Sequence, residues 1–179
     1  MTWIGEDAMI FRLSQKLNTK IKAGTLGALA LHANPFADWS AHLFVAGRSQ
    51  YILLSNTKSL YSTVLHGKGI TNDSDFIERA LSSIREFMEG DGQESVYRRF
   101  IASANGSVRF VKALDRSVTG SMNDLIRHAT AWLAEGDLSP HEVGIRLNDI
   151  LLSALAKDQS AGYGKPRDAF KDLVGSAGS

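Results

Sequence analysis

The sequence predicts an α+β domain, with a small, mostly antiparallel sheet of about five strands, including a three-strand meander, packed with about five or six helices. Three observations predict it. Apolar and alternating runs cluster between residues 41 and 65 and are separated by tight polar turns, the pattern of consecutive hairpin strands. Helical periodicity takes over after residue 73 and persists nearly to the end. Strands and helices therefore come in blocks rather than in strict alternation, which separates the chain from doubly wound sheets.

Each element has its own signal. Residues 9–13 read as a short strand, and Ser14 caps a helix to about Lys22 that buries Leu17 and Ile21. Residues 23–35 are rich in small residues and read as a loop free to move. Residues 41–46 are almost continuously apolar and suit a central strand. A turn at 47–50 leads to a strand at 51–55, and Asn56 opens a connection to a third strand at 60–65. Ile77, Ala80, Leu81, Ile84 and Met88 trace one helical stripe that ends at Gly90, and residues 93–104 read as a second, shorter helix. Residues 107–112 alternate as a strand. Ser121 is expected to cap the next helix, which runs to about Glu135 with Met122, Leu125, Ala129 and Leu133 on its buried face. Ser139, Pro140 and Glu142 form a capping-box start for another helix. Residues 160–165 form a glycine-bearing linker, and Pro166 opens a last short helix through Leu173. Residues 1–8 read as an extension, 9–174 as a single domain, and 175–179 as a fraying tail.

Composition excludes several classes. An apolar fraction of 44% beside a charged fraction of 22% is that of a globular chain, so wholesale disorder is ruled out. The absence of cysteine removes disulfides, thiolate metal sites and a cysteine nucleophile, and suits the cytoplasm. No apolar run approaches the roughly 18 residues of a membrane-spanning helix. The five histidines show neither His-x-x-x-His nor His-Glu-x-x-His spacing, so no metal is expected; no cofactor is expected either.

Charge is unevenly distributed. Residues 8–72 carry seven bases (Arg12, Lys16, Lys20, Lys22, Arg48, Lys58, Lys68) against the single acid Asp38, whereas residues 73–179 carry thirteen bases and sixteen acids. Arg12, Lys16 and Lys20 form a row at helical spacing, a candidate nucleic-acid contact; the alternative is a solvated basic face. Such asymmetry steers an anionic partner or joins two copies of the chain as a homodimer.

The most distinctive segment runs from Asp115 to Asp124. A helix starting after Gly120 would open its N–H groups toward a phosphate or carboxylate, with Arg116, Ser117, Ser121, Asn123 and Asp124 around the ligand. The competing reading has Asn123 and Asp124 hydrogen-bonding the preceding loop. Trp39 and His42 are candidates to complete the same pocket, with Asp38 placed to orient the imidazole.

Arg116-Ser-Val-x-Gly-Ser-Met-Asn-Asp124 resembles the signature of an uncharacterised bacterial family, a domain of unknown function. Ser14-Gln-Lys-Leu17, Trp39-x-Ala-x-Leu-Phe44, Leu54-x-Asn56 followed by Ser59-Leu60, and Ser139-Pro with Leu147 are similar to the same pattern, in order, over residues 9–174. The chain departs from it at Thr119, where an aliphatic residue is usual, and at Lys58. The resemblance implies a compact bacterial domain and brings no activity with it. The residues themselves lead first to a non-enzymatic binding domain with an anionic partner, nucleic acid or an acidic protein. The rival is a hydrolase or phosphate-ester enzyme whose pocket lies at the helix N-terminus after Gly120.

Overall fold

A computed structural model describes residues 8–104, 106–156 and 162–177. Five strands form one sheet in the order β4-β3-β2-β1-β5. These are β1 (Ala8–Leu13), β2 (Asp38–Ala46), β3 (Ser49–Asn56), β4 (Ser62–His66) and β5 (Ser107–Val111). The meander β2-β3-β4 is antiparallel and supplies most of the paired length. β2 is the central strand, and β1 pairs parallel with it on one side and with the edge strand β5 on the other. The helices are α1 (Gln15–Ile21), α2 (Asp73–Gly90), α3 (Glu94–Val96), α4 (Arg116–Glu135), α5 (Pro140–Leu147) and α6 (Pro166–Ala177). The chain is α+β, as its blocks of pattern predict.

Alternation along the strands divides the core in two. One face sends Phe11, Trp39, Ile52 and Leu65 into a cluster with Leu17 of α1, Phe76 and Ile84 of α2, and Phe170 of α6. The other sends Phe44, Leu53 and Val64 against Met122, Leu125 and Ala129 of α4 and Val143 of α5. The sheet is thus covered on both sides, which explains why β1 is buried along its whole length. Its outer edge at β4 is closed by Asn148: the carboxamide accepts from the Ser62 N–H at 2.8 Å and donates to the Ser62 carbonyl at 3.1 Å. A side chain there substitutes for a sixth strand.

Several boundaries differ from the sequence reading. β3 begins at Ser49, because the Gly47–Arg48 turn closes in two residues, with Gly47 at φ +60°. β4 begins at Ser62, because Leu60 adopts φ +63° under a turn held by Asn56, whose Oδ1 accepts from the N–H and hydroxyl of Ser59. Residues 93–104 are no uniform helix: α3 passes into a π turn at Tyr97–Ile101 and a 3-10 turn at Ala102–Ala104. α6 continues past Leu173 to Ala177, which packs on the core, so the expected tail is helical as far as it is described. Residues 1–7 of the expected extension, Ser160 and Ala161 of the linker, and residues 178–179 lie outside the described residues.

The loop at 23–35, expected to move, is clamped. Arg12 is fully buried and bidentate to Asp38 (Nε and Nη2 both at 2.8 Å), and it donates onward to the carbonyls of Leu29 at 2.7 Å and Ala30 at 3.0 Å. His32 contacts the Ala8 carbonyl, and Asn34 donates to the Phe100 carbonyl. A buried guanidinium needs such saturation, since each unmet donor in the interior costs free energy.

Candidate functional site

The carboxyl ends of the parallel strands β1, β2 and β5 point the same way, and so does that of β4. Each of these strands leads into a basic segment. Lys16, Lys20 and Lys22 come after β1, Arg48 lies in the β2–β3 turn, Lys68 comes after β4, and Lys112 and Arg116 come after β5. Of these, Lys16, Lys22, Arg48, Lys68, Lys112 and Arg116 are exposed, and none has an acidic partner among the described residues. Lys20 donates to Gln50 Oε1 at 2.8 Å and ties α1 to the β2–β3 hairpin.

A trough crosses this edge. Its first part, about 470 Å³, lies under α1 between Gln15, Asn18, Thr25 and Lys112. A second part of about 470 Å³, which has Ala113 in its wall as the first does, lies along Arg116, Gly120 and Asn123. These three residues also wall a third part of about 500 Å³, which reaches Ser153 and Ala154. In open α/β sheets the crevice at the carboxyl strand ends, where successive connections part to opposite sides, is the favoured ligand position. β1 is that strand here, with β2 on one side and β5 on the other.

Helix α4 shapes the middle of the trough, and it starts earlier than its sequence suggests. The Asp115 carboxylate accepts from the Val118 N–H at 2.9 Å, so Asp115 is the cap, Arg116 opens the helix, and Gly120 and Ser121 lie inside it. The expected start after Gly120 is therefore corrected, and the N–H groups beside Ser121 belong to the helix rather than to an open anion hole. The physical reason is twofold. Aspartate is a strong cap, and the apolar stripe extends back from Met122 to Val118, which is buried.

The predicted residues do share one surface. Arg116, Gly120, Asn123 and Arg127 recur at i, i+4, i+7 and i+11 on α4, and Ser117, Ser121 and Asp124 border the same trough. A Cβ built on Gly120 would meet nothing within 4 Å, so the glycine leaves a gap between Arg116 and Asn123. Asp124 is ion-paired with Arg127 rather than holding the preceding loop. Arg116 and Asn123 have no partner among the described residues.

Trp39 and His42 are elsewhere. They occupy opposite faces of β2: Trp39 is buried in the α2-side cluster and donates its indole N–H to the Phe36 carbonyl at 2.8 Å. His42 is buried on the α4 side, and burial pulls its pKa down to about 4. Asp38 cannot orient it, because both carboxylate oxygens are engaged by Arg12 and one also accepts the His32 N–H. The basic row is likewise corrected. Arg12 is a buried strand residue, leaving Lys16 exposed and Lys20 half-buried on α1.

Lys112, Gln15, Asn18 and Thr25 were not singled out by sequence. Their significance depends on β1 and β5 being parallel neighbours, a relation that periodicity does not encode. Among the described residues no group of three or more His, Cys, Asp or Glu side chains is placed to hold a metal ion, and no helix is long and apolar enough to cross a membrane.

No curated protein and no solved structure matches the chain. A family model described as domain of unknown function DUF6933 matches residues 10–169, and the chain belongs to that family.

Proposed function

We propose that this domain binds an anionic polymer without altering it, the phosphate backbone of a nucleic acid being the partner that the trough suits best. The observation that carries the reading is the set of exposed, unpaired bases at the carboxyl ends of the strands, with Lys112 and Arg116 in the walls of neighbouring pockets that share lining residues. Those cations release counterions when phosphates replace them, which makes binding steeply salt-dependent. No aromatic side chain lines the trough, so contact with the backbone rather than base stacking is the expected mode. The hydrolase alternative has less support. The buried, weakly basic imidazole of His42 lines none of these pockets beside Arg116, and no other histidine does. The cysteine-free, bacterial-type sequence suits the bacterial cytoplasm, and a homodimer would double the basic edge.

Fluorescence titration against labelled single strands and duplexes at 50 and 200 mM salt tests the reading. Binding should weaken steeply with salt. Lys112→Ala with Arg116→Ala should reduce the magnitude of the log–log salt slope by about 2, one for each phosphate contact removed. Absence of binding at low salt at tens of micromolar would end the nucleic-acid reading, while saturable binding of polyglutamate alone would reassign the edge to an acidic protein.

A further inference from the structure

The side of α4 that borders the trough continues beyond it. Ser117, Ser121 and Asp124 lie along the trough, and His128 and Trp132 follow them on the same side, at i+11 and i+15 from Ser117. Trp132 stands eight residues past Asp124, about 12 Å along the helix axis. Its indole packs on the apolar cluster beneath α4 and α5, which fixes the ring, yet the residue is only half-buried. The indole N–H has no partner among the described residues and is not buried, whereas that of Trp39 donates to the Phe36 carbonyl. His128 and Arg146, both exposed, stand beside the ring. The imidazole is tilted by 40° with ring centres 5.6 Å apart, and the Arg146 guanidinium lies 5.8 Å from the indole centre, near the outer limit of a cation–π contact. Neither neighbour lies flush on the indole.

A rigid indole beside a movable guanidinium suits a flat ring, and every nucleic-acid base offers one once it is unpaired. Proteins that hold single strands combine a basic groove for the backbone with aromatic side chains for the bases. We infer that an unpaired base stacks on Trp132, between His128 and Arg146, when the neighbouring phosphates occupy the trough, so that the domain prefers single strands to duplexes. This rests on the proposed phosphate binding and adds a stacking site past the end of the trough, within which only the backbone is held. Arg146 closes over the base with a second plane and a positive charge. In a duplex the base faces are covered by their neighbours, and the site stays empty.

The test compares three polymers on the full chain at fixed low salt: a single strand, its duplex, and an abasic strand of the same length, which keeps the phosphates and lacks the bases. Stacking one base on an aromatic side chain corresponds to roughly a 5- to 150-fold change in affinity. The single strand should bind more tightly than the abasic strand by a factor in that range, and more tightly than the duplex. In folded Trp132→Leu, which keeps an apolar contact with the core, the single strand should fall to the abasic level, while abasic affinity and its salt slope hold. Should that variant fail to fold, tryptophan emission decides. In Trp3→Leu, where the buried Trp39 and Trp132 are the remaining indoles, the single strand should quench emission and the abasic strand should not. Equal quenching by both counts against stacking. Single-strand binding that Trp132→Leu leaves unchanged, or equal, salt-dependent affinity for all three polymers, overturns this inference and leaves phosphate binding standing. Binding of none overturns both.

Discussion

His42 shows how a single side chain can be chemically placed and still be unavailable for chemistry. Its imidazole lies on the α4 face of β2, and burial holds its pKa near 4, against an ordinary value near 6.5. Well above pH 6.5, from about pH 7.5, the ring is neutral in folded and unfolded chains alike and contributes no pH dependence. As pH falls from 6.5 toward 4, the unfolded chain takes up a proton that the folded one refuses, so stability declines across that window and levels off below it. Between pH 7 and pH 4.5 the natural chain should lose roughly 2–3 kcal/mol more stability than His42→Gln, measured by urea unfolding of each. Equal losses would mean that the folded ring accepts its proton freely and is open to solvent. Asn18 is the opposite case at the same scale, since its carboxamide has a partner for the amide nitrogen and none for the oxygen.

At the scale of elements, the sequence was most informative where a cap and an apolar stripe coincide. Ser14 caps α1 by accepting from the Leu17 N–H, and Ser139 with Glu142 forms the expected capping box of α5. The bonds from Ser139 also draw the Glu142 carboxyl below its usual pKa. α4 was misplaced because Gly120 reads as a break, although a helix tolerates a glycine at a cost of about 1 kcal/mol relative to alanine. Asp115 and Val118 carried the correct signal, a strong cap three residues before a buried position. Two variants of this helix separate structure from binding. Gly120→Ala should raise stability by about 1 kcal/mol, since its methyl group meets no atom within 4 Å, and should weaken nucleic-acid binding by filling the gap beside Arg116. Asp115→Ala should lower stability by about 1 kcal/mol through loss of the cap. Thermal melts and titrations of the same samples read both; a Gly120→Ala protein that is stabilised yet binds unchanged would show that the gap is unused.

For the whole molecule, strand direction governs where the basic residues meet, and strand direction was the part least legible in the sequence. A meander is local, so its turns at Gly47–Arg48 and Asn56–Ser59 announce it. Parallel pairing of β1 with β2 and β5 joins residues far apart in the chain and leaves no local trace. The buried pair Arg12–Asp38 spans two of those parallel strands and carries the loop at 23–35 with it, through the Leu29 and Ala30 carbonyls. This loop supplies Gly24, Thr25 and Leu26 to the trough, and Gly27 bridges Val111. Stability and site are therefore coupled through one guanidinium. Removing its carboxylate strands a charge in the interior, a loss of roughly 3–5 kcal/mol, whereas replacing both partners by apolar residues leaves no charge behind. Asp38→Ala should accordingly unfold at much lower urea than Arg12→Met combined with Asp38→Leu, with the double variant recovering most of the loss. In both, amide hydrogen exchange should quicken at residues 29–32, where the loop is no longer tied down. If the double variant is as unstable as the single one, the pair's value lies in its bonds to the loop carbonyls rather than in charge compensation.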